Sequence, residues 1–410
     1  MAIRVAFATN FISPYRVPLY VALGKTDNWD LKLFTCCESE FDRQWKPVHD
    51  PPFSHKQSFS VSYRRMVKHQ GRVSFSDKRH VHIPLGLWLD LWRFRPDLVI
   101  SDEMGARTLI AAAYALLTRK QLVIWFHCTL HTERDIAWKQ RLLRKVFIRM
   151  ADAFIGMGIE ARRYLESLGV ESESIFDAKN AVDIGPLESR VEAQRRITVR
   201  RRLGVSGLCF LYAGRINQLK GVEELLEAWD VFCAHDGVEA TLVLAGDGQD
   251  RPNLENRVAR RGLTNVRFVG HVEPEELPEI YHAADVFVFP TLQDVWGLVV
   301  NEAMTFGLPI ICSKYAGCAP DLMIDGRNGW LVDPKDPDDV LRALRKAWDA
   351  RDKKEDMAKA ARESVAGLTI PEMAEGFRRA VEYARPRPKL RSENPSKMRG
   401  RLDVPRREPL

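Results

Sequence analysis

A chain of 410 residues with 45% hydrophobic and 29% charged side chains can bury ordinary cores, has room for two domains and is expected to be soluble and globular. Neither a secretory signal nor a bilayer span is expected: the apolar run Ile3–Ala8 is short and is followed by Asn10 and Arg16, and the most apolar region, Leu98–Leu117, carries Asp102, Glu103 and Arg107. The net charge of +7 sits mostly at the end of the chain, where Arg385–Leu410 holds nine basic and three acidic residues, so the globular part is almost neutral and nucleic acid is not expected as a partner.

In chain order, the first half alternates short apolar strand patterns with helical ones. Strands are expected at Ile3–Ala8, Leu31–Thr35, Val81–Ile83, Leu98–Ile100, Leu122–Phe126, Ala153–Gly156 and Ser174–Phe176. Helices are expected at Val17–Leu23, Arg107–Leu117, Asp135–Met150 and Ile159–Leu168. Continuous apolar strands alternating with helices argue a parallel sheet covered on both faces. Cys36–Arg79 is polar, basic and aromatic and reads as an irregular insertion. Between Glu188 and Arg202 charge density rises and the strand pattern stops, which puts a domain boundary there.

The alternation then resumes. Strands are expected at Leu208–Ala213, Ala240–Ala245 and Val266–Val269, and helices at Gly221–Phe232, Asp250–Arg261 and Glu273–His282. A buried strand ending at Pro290, a polar loop containing Asp294, a helix from Gly297 to Phe306 and a strand ending at Ser313 follow. Three helical stretches, Asp336–Arg351, Lys354–Ser364 and Pro371–Ala384, complete the ordered part. The proline-rich basic tail reads as disordered and solubilising, with attachment to an anionic membrane surface or to nucleic acid as the alternative. Seven cysteines, at 36, 37, 128, 209, 233, 312 and 318, show no C-x-x-C pair and no zinc-like spacing and read as reduced cytosolic thiols.

Two doubly wound domains with a ligand cleft between the carboxyl edges of their sheets are the simplest architecture. Gly214 ends a strand, and Arg215 and Lys220 bracket a short loop into a helix, where two cations suit a diphosphate; a solvated turn is the plainer explanation of that loop alone. The phosphate loop of nucleotide hydrolases, G-x-x-x-x-G-K-[ST], is absent. Gly246 lies in a tight turn after a strand, and His271 and Val272 end another, where backbone groups can meet a flat base. The free N–H groups of the helix starting at Gly297 favour an anion, with Asp294 and Glu302 flanking it. His127 follows a buried strand at the edge facing the cleft and either donates to a substrate oxygen or caps a loop. Asp102-Glu103 has the same ambiguity. Arg141–Arg149 is a basic amphipathic stretch that reads as a sheet-packing helix with a solvated face, or as an interfacial surface for anionic lipid.

Together these positions resemble the retaining glycosyltransferases of family four, which have two facing Rossmann-like domains in the GT-B architecture. The resemblance covers most of residues 1–385 and is strongest from Phe210 to Pro334. It implies an acceptor-side domain at 1–187, a linker at 188–204, a nucleotide-sugar domain at 205–370, a helix at 371–385 crossing back to the first domain, and a tail at 386–410. The implied donor-binding residues are Gly214, Arg215, Lys220, Gly246, His271, Val272, Asp294, Gly297, Leu298, Val299 and Glu302. Asp294, His127, Arg215 and Lys220 are the implied catalytic set, and Arg16 and Glu103 belong to the acceptor side. The family pattern has glutamate where this chain has Asp294, a carboxylate one methylene shorter.

The activity so implied is transfer of a sugar, with retention, from a UDP- or GDP-sugar to a glycan or polyprenyl-linked acceptor in surface polysaccharide assembly, at the cytoplasmic side of a membrane. No Asp-x-Asp motif suited to a metal is seen, and no metal or other cofactor is expected. A nucleotide-sugar epimerase or a glycogen-type phosphorylase of similar architecture is the nearest rival. A non-catalytic nucleotide-sugar-binding protein is another, suggested by Asp294.

Overall fold

The computed structural model describes residues 2–40, 46–69, 75–183, 193–235 and 237–385. The tail at 386–410, with its expected disorder, lies outside the described residues. The first half opens with strands β1 (Ile3–Thr9), β2 (Trp29–Thr35) and β3 (His55–Gln57). A hairpin, β4 (Val61–His69) and β5 (Phe75–Ile83), follows, and then β6 (Leu98–Asp102), β7 (Gln121–Phe126), β8 (Ala153–Gly156) and β9 (Ile175–Asp177). Apart from the antiparallel hairpin, these strands form one seven-stranded parallel sheet in the order β3-β2-β1-β6-β7-β8-β9. Helices α1 (Val17–Gly24), α2 (Leu85–Phe94), α3 (Ala106–Thr118), α4 (Trp138–Met150) and α5 (Ile159–Ser167) connect them.

The second half begins with helix α6 (Ala193–Arg202). Its strands are β10 (Leu208–Ala213), β11 (Ala240–Ala245), β12 (Val266–Gly270), β13 (Val286–Phe289), β14 (Ile310–Ser313) and β15 (Gly329–Val332). They form a second parallel sheet in the order β12-β11-β10-β13-β14-β15. Helices α7 (Val222–Cys233), α8 (Arg251–Arg261), α9 (Leu277–Ala283), α10 (Leu298–Thr305), the short α11 (Ala319–Leu322), α12 (Pro337–Asp349) and α13 (Lys354–Val365) wrap it. Helix α14 (Ile370–Ala384) ends the described chain.

Both sheets are buried on both faces at their centres because the central strands are apolar almost without interruption, and the period of two sends alternate residues to different cores. Val5 and Phe7 join Leu33, Ile100 and Trp125 in one cluster, while Ala6 and Ala8 join Phe34, Val99 and Ile124 in another. Leu211, Val243 and Phe287 of the second sheet belong to the same cluster as Phe7, so this core runs through both domains. Helix α14 completes it. Thr369 caps its start by accepting from the Glu372 N–H, and the helix then lays Met373, Phe377, Ala380 and Val381 against α1 and strands β7 to β9. Phe377 stacks on Phe7 at 5.9 Å and meets the Trp125 edge at 5.0 Å.

Four expectations change. Val81–Ile83 is the end of the β4–β5 hairpin, outside the parallel sheet, and the preceding insertion, Cys36–Arg79, supplies the edge strand β3 and the rest of the described hairpin. Helix α2 is absent from the sequence reading because Leu85–Trp92 alternates apolar residues too densely to separate periods of two and 3.6; its inward side is Leu87 and Leu91, with Asp90 held by Lys56 and Ser58 at 2.5 and 2.8 Å. β15 and α11, four residues each, were also not expected. Finally, the interval expected as a linker contains α6, which packs on α9 through Arg196 and Arg200, both paired with Asp285 at 2.6 and 2.9 Å. All seven cysteines are free.

Candidate active site

The loops after β1, β6, β7 and β8 face those after β10 and β13 across a cleft of about 700 Å³, a size suited to a small-molecule ligand. Arg16, Glu103 and His127 line one wall, and Arg215, Lys220, Asp294, Gly297, Leu298, Val299 and Glu302 line the other. Sites at the carboxyl edges of parallel sheets follow from their topology, because the connecting loops converge there.

On the second-domain wall, β10 leads into a 3-10 turn, Gln218–Lys220, closed by Gly221. Gly221 has φ of +68° and its backbone lies so close to Pro290 that a Cβ would sit 1.9 Å from the Pro290 carbonyl oxygen. This contact brings Lys220 beside the loop after β13. Lys220 Nζ pairs with Asp294 Oδ2 at 2.5 Å, and Asp294 Oδ1 accepts from the Trp296 N–H at 3.1 Å. Burial pushes the Asp294 carboxyl up, but the Lys220 charge and both hydrogen bonds more than offset it, so the carboxyl stays below its usual range.

Helix α10 starts at Gly297, whose φ of +102° and 2.5 Å distance from a would-be Cβ to the Phe289 ring admit only glycine. The N–H groups of Leu298 and Val299, in the first turn, have no acceptor within the helix and lie on the cleft. One turn further on, Glu302 accepts from Tyr281 Oη at 2.7 Å. Burial raises the Glu302 carboxyl to about 7, with the Tyr281 hydrogen bond opposing.

On the first-domain wall, His127 lies just past β7, edge-on to Trp125 at 4.3 Å. Its Nε2 is 3.2 Å from Asp102 Oδ1 but not aligned for a hydrogen bond, and its Nδ1 is 3.8 Å from Glu103 Oε1. Burial, reinforced by the charges of Arg16 and Arg107 and opposed by Glu103, lowers its pKa to about 3, so the imidazole is neutral at physiological pH. Asp102 Oδ2 accepts from Thr9 Oγ1 at 2.9 Å, and Arg107 donates to Asn10 Oδ1 and to the Asp102 carbonyl. Glu103 holds φ of +59°, a left-handed conformation uncommon for a non-glycine residue, with its N–H on the Trp125 carbonyl at 2.7 Å. Arg16 is buried with its guanidinium 4.0 Å over the Trp125 ring.

Ten of the expected site residues therefore meet on one cleft, and four do not. Gly214 and Gly246 pack loop against loop: a Cβ on Gly246 would sit 1.8 Å from the Gly214 carbonyl oxygen, and the Gly246 N–H donates to Gly270 at 2.7 Å. His271, exposed and 3.9 Å from Glu273, and Val272 lie away from the cleft lining. Glu40, His80, Trp125, Asn180 and Tyr281 escaped the sequence reading. The position of Trp125, two residues before His127, was its only local signal; Tyr281 had none. Among the described residues no group of three or more histidines, cysteines and carboxylates is placed to hold a metal ion.

Two Rossmann-like domains facing each other across such a cleft define the GT-B fold, and this chain has it. Residues 200–364 match the family described as Glycosyl transferases group 1. Sulfoquinovosyl transferase of Arabidopsis thaliana is 27% identical over 321 residues, 72% of this chain and 59% of that protein. D-inositol 3-phosphate glycosyltransferase of Geodermatophilus obscurus is 33% identical over 197 residues, 45% of this chain and 43% of that protein. The chain thus spans less than two thirds of the length of these curated relatives. The crystal structure of Anabaena Alr3699/HepE in complex with UDP superposes with a TM-score of 0.70 at 16% identity, covering 93% of this chain and 100% of that one; the same protein has also been solved with UDP-glucose.

Proposed function

We propose that the chain is a retaining, metal-independent glycosyltransferase that moves a sugar from a nucleotide diphosphate, UDP first among the candidates, to a glycan or lipid-linked acceptor in surface polysaccharide assembly. The observation that carries this reading is the opposition, across one cleft, of Lys220–Asp294 and the α10 start to the neutral His127. The UDP and UDP-glucose complexes of the Anabaena neighbour favour uridine over guanosine as the base.

In this reading Arg215, Lys220 and the N–H groups of Leu298 and Val299 take the diphosphate, and Glu302 takes the ribose hydroxyls. As the bond from the anomeric carbon to the diphosphate oxygen breaks, negative charge grows on the phosphate and positive character on the sugar carbon. The fixed cations and helix start stabilise the first of these without reorganising. The acceptor hydroxyl attacks from the face the phosphate leaves, its proton passes to the departing phosphate oxygen, and the anomeric configuration is kept. Asp294, held ionised by Lys220, orients the sugar hydroxyls. His127, neutral, hydrogen-bonds a sugar oxygen from the other wall.

The test is a thermal-shift screen of the full chain with UDP-, GDP- and ADP-sugars, followed by product analysis with glycan and polyprenyl-linked acceptors. A UDP-sugar is expected to raise the melting temperature, and UDP release is expected to need an acceptor and to persist in EDTA. Lys220→Ala is expected to lower turnover by about 100-fold or more with the fold retained. Epimerised sugar formed without an acceptor would replace the reading with an isomerase. An inverted product would overturn retention, and loss of activity in EDTA would overturn metal independence.

A further inference from the structure

The cleft carries cations on both walls, among the carboxylates of Glu40, Asp102, Glu103, Asp294 and Glu302. Arg215, Lys220 and the start of α10 all stand on the second-domain wall. Arg16 stands opposite, and it is only 8% exposed. A 3-10 turn, Pro14–Arg16, with the Arg16 N–H on the Ser13 carbonyl at 2.9 Å, fixes its backbone, and the Trp125 ring 4.0 Å beneath fixes its guanidinium. Its Nη1 is enclosed and has no hydrogen-bond partner among the described residues.

Buried polar groups are nearly always paired, and an unpaired guanidinium donor is costly. Of the acids near it, Asp102 accepts from Thr9 through Oδ2 and lies 4.0 Å from Arg107, its Oδ1 being buried without a hydrogen-bond partner among the described residues, and Glu103 lies by His127; none of them is hydrogen-bonded to Nη1. The Trp125 Nε1 donor of the same wall is also enclosed and unpaired. Two unpaired donors, one of them a guanidinium, match a carboxylate or phosphate oxygen better than a neutral hydroxyl.

We propose that Arg16 is a specificity-determining residue that takes an anionic oxygen, of a carboxylate or a phosphate, carried by the acceptor or by the transferred sugar. The inference rests on the reading of the cleft as a nucleotide-sugar site. It assigns the anion to the wall opposite the donor diphosphate.

The full chain, Arg16→Gln and Arg16→Lys are compared by calorimetry, with circular dichroism to establish that each variant is folded. Inorganic phosphate is titrated into protein saturated with UDP, and UDP-glucuronic acid is compared with UDP-glucose. If the anion comes from the acceptor, wild type binds phosphate beside UDP and Arg16→Gln weakens this by about tenfold or more, while UDP affinity is unchanged. If it comes from the sugar, wild type prefers UDP-glucuronic acid and Arg16→Gln loses that preference. In both cases Arg16→Lys lies between. Equal behaviour of wild type and Arg16→Gln toward both probes, or indifference of wild type to both, overturns the proposal. Should wild type fail to bind UDP, the nucleotide-sugar reading fails; Arg16-dependent phosphate binding to the nucleotide-free chain then still supports the anion site, and its absence overturns it.

Discussion

Asp294 and Glu302, eight residues apart on one wall, are driven in opposite directions by their surroundings. Asp294 has the Lys220 ammonium at 2.5 Å and stays ionised, whereas Glu302, half-buried and hydrogen-bonded by the Tyr281 phenol, rises to about 7. The shorter side chain at 294, in place of the glutamate the family resemblance would have there, still reaches its cation. Between the ordinary value of 4.5 for Glu302 and about 7 the folded chain holds the proton that the unfolded chain has lost, so stability falls as pH rises through that window and levels above it. Glu302→Gln is therefore expected to melt close to wild type near pH 5 and above it at pH 8, as followed by thermal denaturation across that range. A difference independent of pH would show that Glu302 is not the titrating group. His127, lowered from its ordinary 6.5 to about 3, acts in the opposite sense, adding stability as pH rises between those values, and cancels in the comparison because the variant keeps it.

Helix α4 carries five basic residues and no acidic one over Trp138–Met150. Arg144 turns inward to Glu133 at 2.9 Å, and Phe147 is the helix's buried anchor, but Trp138 and Leu142 are 69% and 57% exposed among the remaining cations. One side of the helix thus packs on the domain, and its solvated side is apolar as well as basic. The neighbouring α2 and α3 expose Leu89, Trp92, Leu116 and Leu117. No helix among the described residues is long and apolar enough to cross a membrane. Flotation with anionic liposomes is expected to carry the chain at low salt and release it as salt rises. Trp138→Ser with Leu142→Ser is expected to cut that binding by about tenfold or more and to change stability by no more than about 0.5 kcal/mol per site. No binding at low salt would count against the surface.

At the scale of the whole molecule, the two domains share one apolar core and several polar ties. Asp321 accepts from the Ile159 N–H at 2.9 Å and pairs with Lys179 at 3.0 Å, Asn301 donates to the Asn180 carbonyl at 2.8 Å, and His131 stacks on Tyr315 at 4.3 Å. Helix α14 returns from the second domain to the first, where Phe377 supports Phe7 and Trp125 directly behind His127 and Arg16. Phe377→Ala is expected to cost about 3–5 kcal/mol in urea unfolding. Because Trp125 loses its backing, the variant is also expected to lose sugar transfer before it loses nucleotide binding. A cost below about 1 kcal/mol would mean that α14 packs loosely on the first domain.

The sequence by itself determined the alternation of strand and helix, the two-domain division and the second-domain motifs, because apolar periodicity, strand-end glycines and the cations of a short loop are local signals. It also put His127 at the right sheet edge, since that position follows from a single strand. Only the tertiary structure decided which candidates share a surface. Lys220 meets Asp294 across 74 residues, Tyr281 meets Glu302 across 21, and Arg16 covers Trp125 from another strand's loop. The same packing turned Gly214 and Gly246 into loop spacers and left His271 and Val272 off the cleft. Such pairings depend on the order of strands within each sheet and on how two sheets face each other, and neither is written in the spacing of residues along one strand or one helix.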